Sequence, residues 1–299
     1  MSYVIGLDCG GTHIVGQLWN KDSRELITEV KSGPGNVVMN YALAISNIVN
    51  TIQEILDKNN TIQIELILVG IAGIESSSKT NEVISLLTNT FNVHVEVISD
   101  AKLALLNGLE GRDGSLIISG TGSIIYGRQN NTFLRVGGLG YILGDEGSAY
   151  DISKRALQQV LNRIDANKKS LLQASLFSGL NAHTKNEAIA QFYTNDRKEN
   201  ANLARIVAKE AENKNLDAID VLDSCSKSLA NQAITMLSQF EKPIPNTIAL
   251  SGSVLKNNEL FNKKLRMYIS NKFPECEFVN ITSNNAHGVL FFDNWKQSN

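Results

Sequence analysis

The chain has 299 residues, of which 42% are hydrophobic and 19% charged, and a net charge of −2. That length builds one large domain or two medium ones with a core that needs no disulfide staples, and the near-neutral balance excludes a basic nucleic-acid-binding surface. Three scattered cysteines (Cys9, Cys225, Cys276) and four scattered histidines offer neither a disulfide framework nor metal-ligand spacing; no apolar run reaches membrane-spanning length and no leader-like stretch precedes Tyr3, so a cytoplasmic protein without a membrane partner is expected.

Residues 3–8, 13–20 and 25–31 read as three strands, with Lys21-Asp22-Ser23 as a hairpin turn. Between the first two lies Gly6-Leu7-Asp8-Cys9-Gly10-Gly11-Thr12, a strand running into a tight glycine turn. Gly33-Pro34-Gly35-Asn36 is a loop. Apolar residues then recur at helical spacing from Val38 to about Asp57. Residues 64–71 form a continuous apolar run, as in a strand covered on both faces. A helix over 79–91, a strand over 94–98 and a helix over 101–108, opening just after Asp100, complete a first α/β lobe over 1–112.

The pattern then restarts at the head of a second lobe, 113–299. Residues 115–119, 124–127 and 133–136 read as strands, with Gly120-Thr121-Gly122-Ser123 as the first turn, so strand, Gly/Thr turn, strand, strand occurs twice. A glycine-dense loop follows, Gly137 to Ser148. Helices are predicted over 148–163, 169–177, 185–193, 199–213 and 217–240. A strand at 248–250 leads into Ser251-Gly252-Ser253, then a helix over 256–272, a short strand over 277–280 and a closing helix over 285–297 that is expected to pack back on the first lobe.

Each motif has a plain reading and a chemical one. Gly10 and Gly11 form a hairpin turn, or a turn whose exposed N–H groups cradle phosphate beside the Thr12 hydroxyl. Asp8, at a strand end, is a cap or a carboxylate that holds Mg²⁺ through water. Ser119 to Ser123 is a second hairpin, or a second phosphate turn with three hydroxyls. Asp100 is a helix cap, or a carboxylate at the carboxyl end of a strand, where α/β sheets bind ligands and where a kinase needs a proton acceptor. Ser251-Gly252-Ser253 is a strand–helix turn, or a place where flat adenine approaches backbone. Asn36 is a turn residue or a polar ligand contact, and Asp145 and Glu146 form a charged loop or face a ligand.

Taken in order, Gly6-Leu7-Asp8-Cys9-Gly10-Gly11-Thr12, Asn36, Ser99-Asp100-Ala101, Ile118 to Ser123, Gly144-Asp145-Glu146-Gly147-Ser148-Ala149-Tyr150 and Ser251-Gly252-Ser253 resemble the actin/sugar kinase/heat-shock 70 superfamily. Within it the chain resembles the N-acetylglucosamine kinase-like branch, grouped with the activator ATPases of benzoyl-CoA reductase and 2-hydroxyacyl-CoA dehydratase. The resemblance spans essentially the whole chain. It implies an α/β fold of two ribonuclease H-like (actin-like ATPase) lobes with the active site in the cleft between them and a helix-rich C-terminal lobe. It implies ATP and Mg²⁺ as cofactors, an amino sugar as partner and a homodimer. Gly10, Gly11 and Thr12 would hold phosphates with Asp8 near Mg²⁺; Gly120, Thr121 and Gly122 would meet the β/γ-phosphates; Ser251, Gly252 and Ser253 would line the adenosine pocket. Asp100 would be the general base, and Asn36, Gly138, Leu139, Gly140 and Asp145 would surround the sugar.

Leu139 departs from the pattern, since related kinases often carry Trp there. The loss of that amphipathic ring opens the acceptor to N-acetylglucosamine, N-acetylmuramic acid or glucosamine. The competing activator role requires cysteine ligands to an iron–sulfur cluster bridging a dimer; Cys9 lies in the phosphate turn, and neither Cys225 nor Cys276 sits in an evident cluster loop. A sugar-kinase-like repressor would need a helix-turn-helix before the first motif, which begins at Gly6.

Overall fold

The computed structural model describes residues 2–130 and 132–297. The chain forms two compact units, one comprising Met1–Asp113 with Ile281–Asn299 and the other Gly114–Asn280.

The first unit is built on a five-stranded sheet of β1 (Tyr3–Cys9), β2 (Ile14–Asn20), β3 (Leu26–Ser32), β4 (Ile64–Ile71) and β5 (Val95–Ser99), in the order β3-β2-β1-β4-β5. Hairpins make the first three strands antiparallel, whereas β4 runs parallel to both β1 and β5. Their apolar runs are buried because helices cover the sheet: α1 (Tyr41–Lys58), α2 (Ile74–Ser77), α3 (Thr80–Phe91) and α4 (Asp100–Leu109). Ile5, Leu7, Ile48, Ile52 and Ile67 are fully enclosed in this core, each contributing roughly 1.5–3 kcal/mol of hydrophobic stabilisation.

The second unit repeats the scheme with β6 (Gly114–Ser119), β7 (Ser123–Gln129), β8 (Thr132–Gly137), β9 (Thr247–Ser251) and β10 (Glu277–Asn280), ordered β10-β9-β6-β7-β8. Between β8 and β9 stand α5 (Ala149–Asp165), α6 (Gln173–Gly179), α7 (Lys185–Thr194), α8 (Arg197–Glu212) and α9 (Leu216–Leu237); α10 (Ser253–Asn257) and α11 (Glu259–Ser270) follow β9. From Ile281 the chain rejoins the first unit. There a 3-10 helix over Asn285–Phe291 packs on β1, β2, β4 and α4 before α12 (Phe292–Gln297). Among the described residues no helix is long and apolar enough to cross a membrane.

Several helices depart from those predicted, and side-chain hydrogen bonds account for the following four departures. The helix predicted from Val38 starts at Tyr41, because the Asn36 carboxamide oxygen accepts from Val38 N and Met39 N (2.9 and 3.1 Å) and Asn40 then caps the helix. The helix predicted from 169 starts at Gln173, since the Asp217 carboxylate accepts from Ser170 Oγ and Leu171 N (3.0 and 2.8 Å). The segment 256–272 is two helices, interrupted where Asn258 turns extended and caps α11 by accepting from Phe261 N at 3.0 Å. The closing segment 285–297 is half 3-10 helix, capped by Asn284, whose side chain accepts from Ala286 N at 2.9 Å. The short α2 went unread because four residues carry no periodicity.

Candidate functional site

In the first unit, Asp8 and Asp100 lie at the carboxyl ends of β1 and β5, the two strands flanking β4. Parallel pairing aligns those ends, with Asp8 opposite Gly70 and Ser99 opposite Ile71, so both acids face the sheet edge at which α/β folds bind ligands. Asp100 is the first residue of α4. The Ser99 hydroxyl caps that helix, and Asp100 Oδ1 accepts from Ala101 N at 3.0 Å. Burial holds the Asp8 carboxyl above its ordinary range, and the charge of Asp100 adds to the effect. Burial likewise raises Asp100, against the Ala101 N–H, which lowers it. Neither carboxylate has a lysine or arginine salt bridge among the described residues. A pair of half-desolvated acids with this little compensation suits a cation-bearing ligand.

Two residues that the sequence did not single out complete this half. Asn285 Nδ2 and Asn284 Nδ2 donate to Asp8 Oδ2 at 3.2 and 3.4 Å, and both contacts lower the Asp8 carboxyl. They arrive on the returning C-terminal segment, which is anchored by His287 Nδ1 at 2.9 Å from Asn107 Oδ1.

The turn after β1 closes through Gly10 N donating to His13 O at 3.1 Å. Gly11, Thr12 and His13 are exposed. A Cβ on Gly11 would meet no atom within 4 Å, and its φ is not left-handed. Nothing within the chain therefore requires glycine there, and the space in front of the turn is open. Gly35 N donates to Gly10 O at 2.9 Å, so the loop carrying Asn36 is tied to this turn. The Asn36 oxygen is occupied by Val38 N and Met39 N, which leaves its NH₂ as the group able to meet a ligand.

In the second unit, the turn after β6 closes through Gly120 N donating to Gly122 O at 2.9 Å. Of its three hydroxyls only Thr121 is exposed. Ser119 Oγ donates to Gly147 O (2.8 Å) and Ser123 Oγ to Glu146 O (2.7 Å), clipping the glycine-dense loop to the hairpin. The expectation of three hydroxyls facing phosphate is thereby corrected to one. Asp145 is 4% exposed and accepts from Arg197 Nη2 at 2.6 Å. A Cβ on Gly122 would lie 2.3 Å from that guanidinium and 2.7 Å from the Asp145 carboxylate, so glycine there makes room for the pair. Gly138 and Gly140 have left-handed φ, and Leu139 between them is 64% exposed.

Ser251 ends β9 and Ser253 opens α10. Gly252 joins them at φ +99°, where a Cβ would fall 2.2 Å from Ser119 O; only glycine permits both that backbone and that approach. Beside it is a cavity of about 430 Å³ lined by Thr121, Ala149, Lys198, Arg205, Ser253 and Asn257, among others. The structure thus brings Thr121 and Ser253 to one cavity and adds cationic residues from α8 that the sequence did not mark. The volume suits a small organic ligand.

Two five-stranded mixed sheets, each opening strand–turn–strand–strand, define the class: an α/β fold shared with a proposed N-acetylglucosamine kinase from Chromobacterium violaceum, to which the chain is similar with a TM-score of 0.69 at 20% identity, over 97% of this chain and 98% of that one. The chain belongs to the BadF/BadG/BcrA/BcrD ATPase family, whose model matches residues 5–289. It is 28% identical to an N-acetylmuramic acid/N-acetylglucosamine kinase of Clostridium acetobutylicum over 97% of both chains. It is 26% identical to an N-acetyl-D-glucosamine kinase of Dictyostelium discoideum over 95% of both.

Proposed function

We propose that this chain is an ATP-dependent kinase that transfers a phosphoryl group to a hydroxyl of an amino sugar, with N-acetylglucosamine, N-acetylmuramic acid and glucosamine as candidate acceptors. The observation that carries the reading is the raised, unpaired carboxylate of Asp100 at the end of β5, beside Asp8 at the end of β1. Its raised proton affinity makes it a stronger acceptor for the proton of a sugar hydroxyl than an ordinary carboxylate. The names of the full-length relatives support the same activity.

ATP supplies the phosphoryl group, and Mg²⁺ neutralises its charge. Asp8 would hold the metal, with the Asn284 and Asn285 amides keeping its carboxylate oriented and ionised. The Gly10 and Gly120 N–H groups close the two turns, so the backbone N–H groups of Gly11 and Gly122, with the Thr12 and Thr121 hydroxyls, bind phosphate oxygens. The cavity lined by Ser253, next to the Ser251-Gly252 turn, takes the nucleoside. Asn36, Gly138, Leu139, Gly140 and Asp145 orient the acceptor, and Asp100 removes its proton as the new O–P bond forms. The enzyme acts in the cytoplasm as a homodimer. An activator role is disfavoured by the cysteines: Cys9 and Cys225 are buried, and burial pushes both thiols up, away from the thiolate a cluster requires.

The deciding experiment is a coupled ATPase assay over N-acetylglucosamine, N-acetylmuramic acid, glucosamine and N-acetylmannosamine. At least one of the first three is expected to be phosphorylated. Absence of transfer to all four, together with iron bound by the purified protein, would overturn the kinase reading in favour of the activator.

A further inference from the structure

A second cavity, of about 560 Å³, lies within the second unit between α5, α7 and the start of α8, and none of the roles above uses it. Its walls are aromatic. Tyr141 and Tyr150 meet edge to face with centroids 4.9 Å apart, and Phe192 lies 5.9 Å beyond Tyr150. Tyr193 stands at the rim, 86% exposed. Burial and then the neighbouring phenols of Tyr141 and Tyr193 push the Tyr150 hydroxyl up from its ordinary value, so it remains a donor. Not one of these three hydroxyls makes a hydrogen bond among the described residues.

Two cations share the cavity. Arg197 lies over the Tyr141 ring at 5.5 Å and gives one N–H to Asp145, leaving the rest of its donors available. Lys154 Nζ is 3.3 Å from Asp151, a carboxylate that also serves Arg155 at 3.0 Å. Both cations are paired, but neither Asp145 nor Asp151 lines the cavity, so the charged groups that line it are cationic. Unpartnered phenol donors beside two lining cations suit an anion, and aromatic walls suit an amphipathic body such as a saccharide ring. The cavity adjoins the loop proposed to hold the acceptor: Tyr141 and Ile142 of that loop line it, and Arg197 binds Asp145.

We infer that this cavity is a subsite for an acidic extension of the acceptor: a carboxylate-bearing substituent on the amino sugar enters between Tyr141 and Tyr193 and is held by Arg197, Lys154 and the Tyr150 hydroxyl. This assignment rests on the acceptor role proposed for Gly138 to Asp145.

Isothermal titration with N-acetylmuramic acid and N-acetylglucosamine, which differ by one carboxylate-bearing ether, tests it on the wild type and on a Tyr150→Phe/Lys154→Gln double variant. The variant keeps the ring at 150 and an uncharged polar side chain about one atom shorter at 154, and circular dichroism checks its fold. Affinity for the acidic sugar is expected to fall about tenfold or more, and that for the neutral sugar by under about twofold. Equal weakening of both, no weakening of either, or a wild type that does not bind the acidic sugar overturns the subsite. Titration reads binding alone. A chain that binds the acidic sugar through these residues but phosphorylates nothing would keep the subsite and lose the kinase reading. A working kinase whose preference ignores both substitutions would do the reverse.

Discussion

Asn285 Nδ2 donates to Asp8 Oδ2 at 3.2 Å, joining the end of the first strand to a residue 277 positions later. The contact lowers a carboxyl that burial and Asp100 push up, so it helps keep Asp8 ionised, as its proposed metal role requires. Asn285→Ala removes a donor and leaves the acid more easily protonated. The acid limb of the pH–rate profile should move to higher pH, and the Mg²⁺ concentration needed for half-maximal rate should rise by about three- to tenfold. A profile and Mg²⁺ dependence identical to wild type would show that Asn285 is only structural.

Asp100→Asn separates chemistry from stability. Turnover should fall by about 10²–10⁴-fold while ATP affinity, read by titration, stays near wild type. The folded-state pKa of Asp100 lies above its ordinary value. Its contribution to stability is therefore full below that ordinary value and is lost as pH rises through the folded pKa. Asparagine does not titrate and can still accept from Ala101 N. The variant should consequently melt higher than wild type at pH 7, and the difference should shrink toward pH 4. A lower melting temperature at pH 7 would mean that the charge stabilises the fold.

Much of this arrangement was readable from local pattern. The strand–turn–strand–strand unit closes within a few residues, so its period and its glycines announce both β1–β3 and β6–β8, and Asp100 follows directly on a strand. Contacts made at long range were not readable. Asn284 and Asn285 reach Asp8 only because the 3-10 helix packs on β1. Arg197 finds Asp145 across 52 residues. Ser119 and Ser123 looked like phosphate ligands because their partners, Gly147 O and Glu146 O, belong to a loop whose docking no periodicity encodes.

Gly11 and Gly252 should respond in opposite ways to alanine. At Gly252 a Cβ meets Ser119 O at 2.2 Å on a left-handed backbone, so Gly252→Ala should destabilise the fold by roughly 2–4 kcal/mol in denaturant unfolding. At Gly11 a Cβ meets nothing, so Gly11→Ala should leave stability unchanged or raise it by about 0.5 kcal/mol. KM for ATP should nevertheless rise about tenfold or more as the methyl enters the phosphate approach. A Gly11→Ala enzyme with an ordinary KM would mean that phosphate does not pass there.

Leu139, 64% exposed between two left-handed glycines, offers an aliphatic surface to whatever approaches the loop. Leu139→Trp adds a rigid amphipathic ring with little cost to the core, since the side chain supports none of it. If the loop faces the acceptor, the ratio of kcat/KM between N-acetylglucosamine and N-acetylmuramic acid should shift by about three- to tenfold, because stacking by one aromatic ring is worth about 0.5–1.5 kcal/mol and favours the acceptor whose apolar face is less encumbered. KM should carry the change and kcat should not, because the ring would touch the sugar away from the hydroxyl that Asp100 is proposed to deprotonate. A ratio unmoved by the substitution would place Leu139 outside the acceptor site and leave Asp145 and Asn36 to orient the sugar.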